Sequence, residues 1–337
     1  MPMDQLTDYL TYTHPLGPED ASVILDPFCR RMLFQSENSI YARFRDKPTL
    51  IVGRKGSGKT AFLHSDKGRS DKICPVDLNS ASAFALMLRT VQAAGASSMA
   101  VEPVAKIWDI CFWLTFMFSA GTARIGTYSR EFLLSAEEKE RLLKFVSGLD
   151  PRHNGHSGAQ FLVAAVQHYQ DLALKDKSQP ETLPDLMVRA DVGGSSFEST
   201  KSLLEGALLN REARALLTID SLDTRVDSND SYDIVRDEVN FAISALLKSL
   251  GSFSQLNPVY DVRFCLPSER FEEFSHLSTN PAKDLTAQVT LNWSAAELIS
   301  IAAHRLRLFM ASSGMFRQFF IERDKGPIHP DGRRCPT

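Results

Sequence analysis

The sequence predicts an α/β fold: a mainly parallel sheet flanked by helices, with a helical insertion and a C-terminal helical segment. Two observations lead to it. Short apolar, β-branched runs alternate with stretches of helical periodicity, and the first of those runs ends in a glycine-rich turn that opens a helix. Strands that alternate with helices pair in parallel through right-handed crossovers and are covered on both faces. Composition agrees: 337 residues, 43% hydrophobic and 23% charged, is ordinary for a globular chain of one or two domains.

Residues 1–46 form a helical lead-in, with Asp26-Pro27 as a helix start. Pro48 to Val52 is apolar and β-branched between turn residues, which is how a strand buried on both faces reads. Lys72 to Leu78 is the second strand, and Ala83 to Ala93 and Pro103 to Thr122 are helices. Residues of about 100–195 form a helical insertion. Within it Ser135-Ala136-Glu137-Glu138 is a capping box, while 150–158 and 175–183 carry Pro, Gly and polar residues and read as exposed connections. Alternation resumes with a strand at Arg214 to Ile219, a helix over about Tyr232 to Leu250, and a strand at Asp261 to Leu266. A short helix after Ser268 and a strand at Ala287 to Leu291 complete a core over 47–293. Ser294-Ala295-Ala296-Glu297 is a second capping box, launching a helix to about Met310 that begins a lid or C-terminal domain over 294–337.

The turn after the first strand reads Gly53-Arg54-Lys55-Gly56-Ser57-Gly58-Lys59-Thr60. Glycines at these spacings let the backbone fold tightly and aim its N–H groups at phosphate oxygens, and the helix start that follows adds partial positive charge. In this P-loop pattern Lys59 meets the β- and γ-phosphates and Thr60 offers its hydroxyl to Mg²⁺. Gly56 and Ser57 keep the loop small, and Ala61 closes the nucleotide-binding set.

A phosphate loop of this kind works with a carboxylate at the end of another core strand, and Ala215-Leu216-Leu217-Thr218-Ile219-Asp220 supplies one. Asp220 is the second magnesium-holding candidate. The next residue is Ser221 where a second acid is common, and the next acid is Asp223. Water activation needs a base within hydrogen-bond reach, so either Asp223 turns towards the γ-phosphate or hydrolysis is slow. A slow, switch-like ATPase is the expectation. The absence of an Asn-Lys-x-Asp guanine signature favours ATP.

These residues resemble a family, the bacterial P-loop ATPases related to the STAND and KAP groups. The likeness rests on the loop, on the ending Asp220-Ser221-Leu222-Asp223, on the strand running into Pro267-Ser268, and on the helix entry Trp293-Ser294. It covers about Pro27 to Arg307. The resemblance implies ATP and Mg²⁺ as cofactors, a signalling or anti-phage defence role, and ATP-driven self-assembly or an effector protein as partner. It also makes Ser268 a candidate sensor of the γ-phosphate, a helix N-cap being the alternative. The helix opened at Ser294 resembles a lid, which makes Arg305 the first candidate arginine finger ahead of Arg225, Arg270 and Arg307.

Two other readings stay open from the sequence: a small-molecule or nucleotide kinase, and a DNA-associated ATPase. Neither a donor lid with an acceptor pocket nor a basic recognition domain is recognisable. A net charge of −3 gives no bulk attraction to nucleic acid or to an anionic membrane. The apolar run Ile107 to Ala120 is interrupted by Asp109 and is shorter than a bilayer span, so it reads as a buried helix. The N-terminus lacks a basic, apolar leader, so a cytoplasmic location is expected. Five scattered cysteines without a C-x-x-C pair read as reduced core thiols. Asp227, Asn229, Ser231, Asp233 and Glu238 are spaced like a calcium loop, but Tyr232 stands where the turn needs glycine. His153 and His156 lie in a loop without a third ligand, and zinc is not expected.

Overall fold

The computed structural model describes residues 6–17, 24, 29, 32–33, 50–54, 56–64, 73–78, 90–91, 94, 100–122, 134–175, 183–219, 233–277 and 288–313. The chain is α/β with a parallel sheet flanked by helices. Five strands make the sheet: β1 (Leu50–Gly53), β2 (Ile73–Leu78), β5 (Arg214–Ile219), β6 (Tyr260–Pro267) and β7 (Gln288–Leu291), in the order β2-β5-β6-β1-β7. Every pairing is parallel. Between β2 and β5 lie α2 (Val101–Gly121), α3 (Ala136–Leu149), α4 (Gly158–Lys175), α5 (Leu183–Arg189), the small antiparallel hairpin β3 (Asp191–Val192) and β4 (Ser195–Ser196), and α6 (Phe197–Asn210). The remaining helices among the described residues are α1 (Lys59–His64), α7 (Asp233–Leu256), α8 (Ser268–Leu277) and α9 (Ala295–Ser312).

The chain divides into two compact units: residues 43–59 with 69–291, and residues 1–42 with 60–68 and 292–337. In the first, side-chain alternation explains the sheet's burial. Leu50, Val52, Leu217, Val262, Phe264 and Leu266 enter one large core with the helices. Ile51, Leu216 and Cys265, pointing the other way, are also buried, so both faces are covered. Cys111 and Cys265 are free buried thiols, as is Cys29 in the second unit; burial pushes the Cys111 thiol up to about 12.

α2 is the centre of the helical layer. Its 21 residues are apolar almost all round, which is the pattern of a helix surrounded by protein, and most of them are buried. The buried aromatics satisfy their polar atoms across the layers. Trp108 Nε1 donates to the Ala242 carbonyl at 3.0 Å, Trp113 Nε1 to Asn257 Oδ1 at 3.1 Å, and the Tyr260 hydroxyl to the Phe112 carbonyl at 2.7 Å. Asp109, the charge that interrupts the apolar run, accepts a hydrogen bond from the Ser249 hydroxyl of α7.

Burial outweighs that bond and the pull of Lys201, and it raises the Asp109 carboxyl to about 6. Because the folded-state value lies above the unfolded one, the folded chain holds a proton there that the unfolded chain gives up. Stability from this group is therefore full below about pH 4 and lost as pH rises through about 6. Asp109→Asn is expected to stabilise the chain at pH 7 by about 1–2 kcal/mol, and to show no gain near pH 4, in urea unfolding at the two pH values.

The helical stretch runs further than the sequence suggested, to Asn210, because Ser196 opens α6 with its own cap: its hydroxyl accepts from Ser199 N at 3.2 Å. The two sequence-predicted capping boxes are present, Ser135 with Glu138 and Ser294 with Glu297. The loop after α3 is mostly exposed, as its composition predicts, but two of its residues are not. Asp150 and His153 are buried; His153 Nδ1 donates to the Asp150 carbonyl at 3.0 Å and His156 Nδ1 to its carboxylate at 2.6 Å. Polar residues can be buried there because they satisfy one another. The predicted helix at Ala83 to Ala93 and the connection at 176–182 lie largely outside the described residues.

In the second unit, Leu6, Leu10, Ile24, Cys29 and Leu33 of the lead-in pack with Leu308 and Phe309 of α9. Tyr12 meets the Phe309 ring edge-on at 5.4 Å.

Candidate functional site

β1 delivers the glycine-rich loop to the carboxyl edge of the sheet, the edge at which open α/β sheets bind ligands. Gly53 is the last residue of the strand and is flanked by Pro267 of β6 and Leu291 of β7. A side chain at Gly53 is excluded by its surroundings: a Cβ there would stand 2.3 Å from Ser57 Oγ and 3.2 Å from Leu291 Cβ. The loop therefore closes directly onto the strand end. Ser57 N donates to the Arg54 carbonyl at 3.0 Å, and the chain then turns through Gly56 and Gly58 with φ of +79° and +81°. Those two positions lie in the left-handed region that glycine enters without steric cost. A Cβ at Gly56 would meet nothing within 4 Å, so it is the backbone angle that requires glycine there.

Lys59, the first residue of α1, is 7% exposed. Its ammonium lies back over the loop and donates to the Gly53 and Arg54 carbonyls at 3.0 and 3.1 Å. An ammonium has three protons, and the third is what a phosphate oxygen would accept. Tight turns at glycines of positive φ, a cradle that a Cβ would fill, and a cation held at the loop suit the phosphates of a nucleotide. Thr60, half-buried, follows in the helix, and Ala61 after it.

The remaining predicted residues separate into two groups. Asp220, Asp223 and Arg225 lie outside the described residues, although β5, which leads into Asp220, is in place. Arg305 is described: its Nη1 donates to the Leu16 carbonyl at 3.0 Å, within the second unit. His304 beside it meets the Met32 carbonyl through Nε2 at 2.9 Å, and Arg307 is exposed. Ser268 is half-buried and is itself the first residue of α8, one position beyond the N-cap role considered for it.

Sequence reasoning did not foresee that β6 would lie between β1 and β5, which brings Pro267 and the start of α8 beside Gly53. Nothing local in the sequence encodes strand order. Among the described residues there is no cluster of three or more His, Cys, Asp or Glu that could hold a metal ion.

No known protein-family description, no curated protein and no solved structure matches this chain.

Proposed function

We propose that the chain is an ATP-binding P-loop NTPase, a slow Mg²⁺-dependent ATPase that acts as a regulatory switch. The observation that carries this reading is the loop Gly53 to Lys59, with its positive-φ glycines and its lysine ammonium at the end of a buried parallel strand. Loop amides and Lys59 would hold the β- and γ-phosphates, and Thr60 with Asp220 would hold Mg²⁺. The metal would neutralise charge developing on the phosphate oxygens. Slow turnover is inferred from Ser221 in place of a second acid. The anti-phage signalling role and the self-assembly or effector partner rest on the family resemblance.

Mass measurement by light scattering, with ATP, with ADP and without nucleotide, tests the switch. The expected result is a larger species with ATP that is lost in Lys59→Ala. An ATP-bound chain whose mass never changes would remove self-assembly from the reading.

A further inference from the structure

A helix in a folded chain is stabilised mainly by the face it buries, yet the 18 residues of α9 bury only Leu308 and Phe309, both near its C-terminal end. The turns before them are apolar all the same. Ala295, Ile299, Ala302 and Leu306 recur at spacings of four, three and four, the seam that one helix presents to another, with Leu298 and Ala303 beside it. Leu298 and Ile299 are 52% and 69% exposed, and Ala295, Ala303 and Leu306 are exposed too. The polar side chains are the engaged ones: His304 meets the Met32 carbonyl and Glu297 closes the helix's own cap. That reverses the usual surface helix, whose apolar stripe faces its own core.

The lead-in widens this patch. Leu298, Arg305 and Phe309 share one face of α9 by their spacing, and the lead-in reaches that face at Arg305, through the Leu16 carbonyl, and at Phe309, through the Tyr12 ring. It stops short of Leu298, and Tyr12 and Leu16 are themselves exposed. Among the described residues, five of the eight exposed large apolar side chains therefore belong to the smaller unit, which points to one covered surface and not to scattered exposure.

We propose that this patch is where two copies of the chain pair, α9 against α9 about a two-fold axis. Self-pairing requires a surface complementary to itself, and no charged residue occupies positions 295, 298, 299, 302, 303 or 306, so the axis opposes apolar to apolar and never like charges. The area suffices. The five residues leave roughly 500 Å² open on each copy, the size of patch that marks an interaction site. Two copies would bury about 1,000 Å² between them, where specific interfaces begin, before Ala295 and Ala303 are added. The pairing is independent of the nucleotide reading and needs no ATP.

Sedimentation equilibrium of the full chain without nucleotide, over micromolar concentrations, tests it. The variants are Leu298→Glu with Ile299→Glu, and Leu174→Glu, an exposed apolar residue of the other unit, each verified as folded by circular dichroism. Wild type and Leu174→Glu are expected to sediment at twice the mass of one chain. The double variant should dissociate with a constant raised at least about 100-fold, because a two-fold axis brings each new charge into the interface twice. A wild-type chain that stays monomeric, a double variant that stays dimeric, or dissociation of Leu174→Glu alone would overturn the proposal. Flotation of monomeric wild type, but not of the double variant, with vesicles of phosphatidylcholine and phosphatidylglycerol would also overturn it, by assigning the patch to a membrane surface.

Discussion

Lys59→Ala is expected to weaken ATP binding by about 100-fold, equivalent to about 2.7 kcal/mol, with the fold retained. The ammonium is the one side-chain cation held against the loop among the described residues, and charge-assisted bonds to phosphate are roughly twice as strong as neutral ones. Its two bonds to the Gly53 and Arg54 carbonyls are lost as well, the first of them buried, so a smaller loss of stability should accompany the loss of affinity. Calorimetric titration with ATP and Mg²⁺ reads the affinity. Circular dichroism and the urea midpoint verify that the variant is folded. Lys59→Arg should not restore full affinity, because a planar guanidinium is larger than the ammonium that fits over the Gly53 and Arg54 carbonyls.

The largest stability effect is expected far from that loop, at the hairpin that closes the helical layer. Gly193 and Gly194 form a two-residue turn with φ of +63° and +82°, and Gly194 N donates to Asp191 Oδ1 at 2.9 Å. Both angles disfavour other residues, yet the surroundings differ. A Cβ on Gly193 would stand 2.4 Å from the Lys144 carbonyl oxygen of α3, which is backbone and cannot swing aside, whereas a Cβ on Gly194 would meet nothing within 4 Å. Gly193→Ala is therefore expected to cost about 3–4 kcal/mol, by strain and by separation of the hairpin from α3, and Gly194→Ala about 1 kcal/mol, by backbone strain alone. Urea unfolding of the two variants decides it: equal losses would mean that the hairpin does not press on α3 as described. Gly148, whose added Cβ would lie 2.7 Å from Val192 Cγ1, marks the same contact from the helix side.

The parts of the fold that were legible in the sequence are those whose pattern is local. Leu50-Ile51-Val52 reads as a buried strand because burial on both faces demands an unbroken apolar run, and the Ser135 and Ser294 caps follow from a spacing of three residues. The glycine-rich turn between β1 and α1 was legible for the same reason: it is written in eight consecutive residues. The hairpin at 191–196 was missed because strands of two residues carry no alternation to detect. α6 was missed because Ser195-Ser196 read as the end of the insertion, whereas Ser196 caps a helix.

The loop at 150–158 was legible as largely exposed, but not the burial of Asp150 and His153 within it, which depends on the contacts of Asp150 with two histidines. Asp109 was seen only as a break in an apolar run. Its partner Ser249 is 140 residues away, a pairing that only tertiary structure can bring about. The place of β6 beside the loop strand is of the same kind.

Titration of the purified chain with ATP, ADP and AMP, with and without Mg²⁺, tests the proposed nucleotide binding most directly. A loop that cradles the β- and γ-phosphates should bind ATP and ADP at least about 100-fold more tightly than AMP, with Mg²⁺ strengthening ATP binding and Lys59→Ala erasing the difference between ATP and AMP. Equal affinity for all three nucleotides, or no binding of ATP by a folded chain, would contradict it.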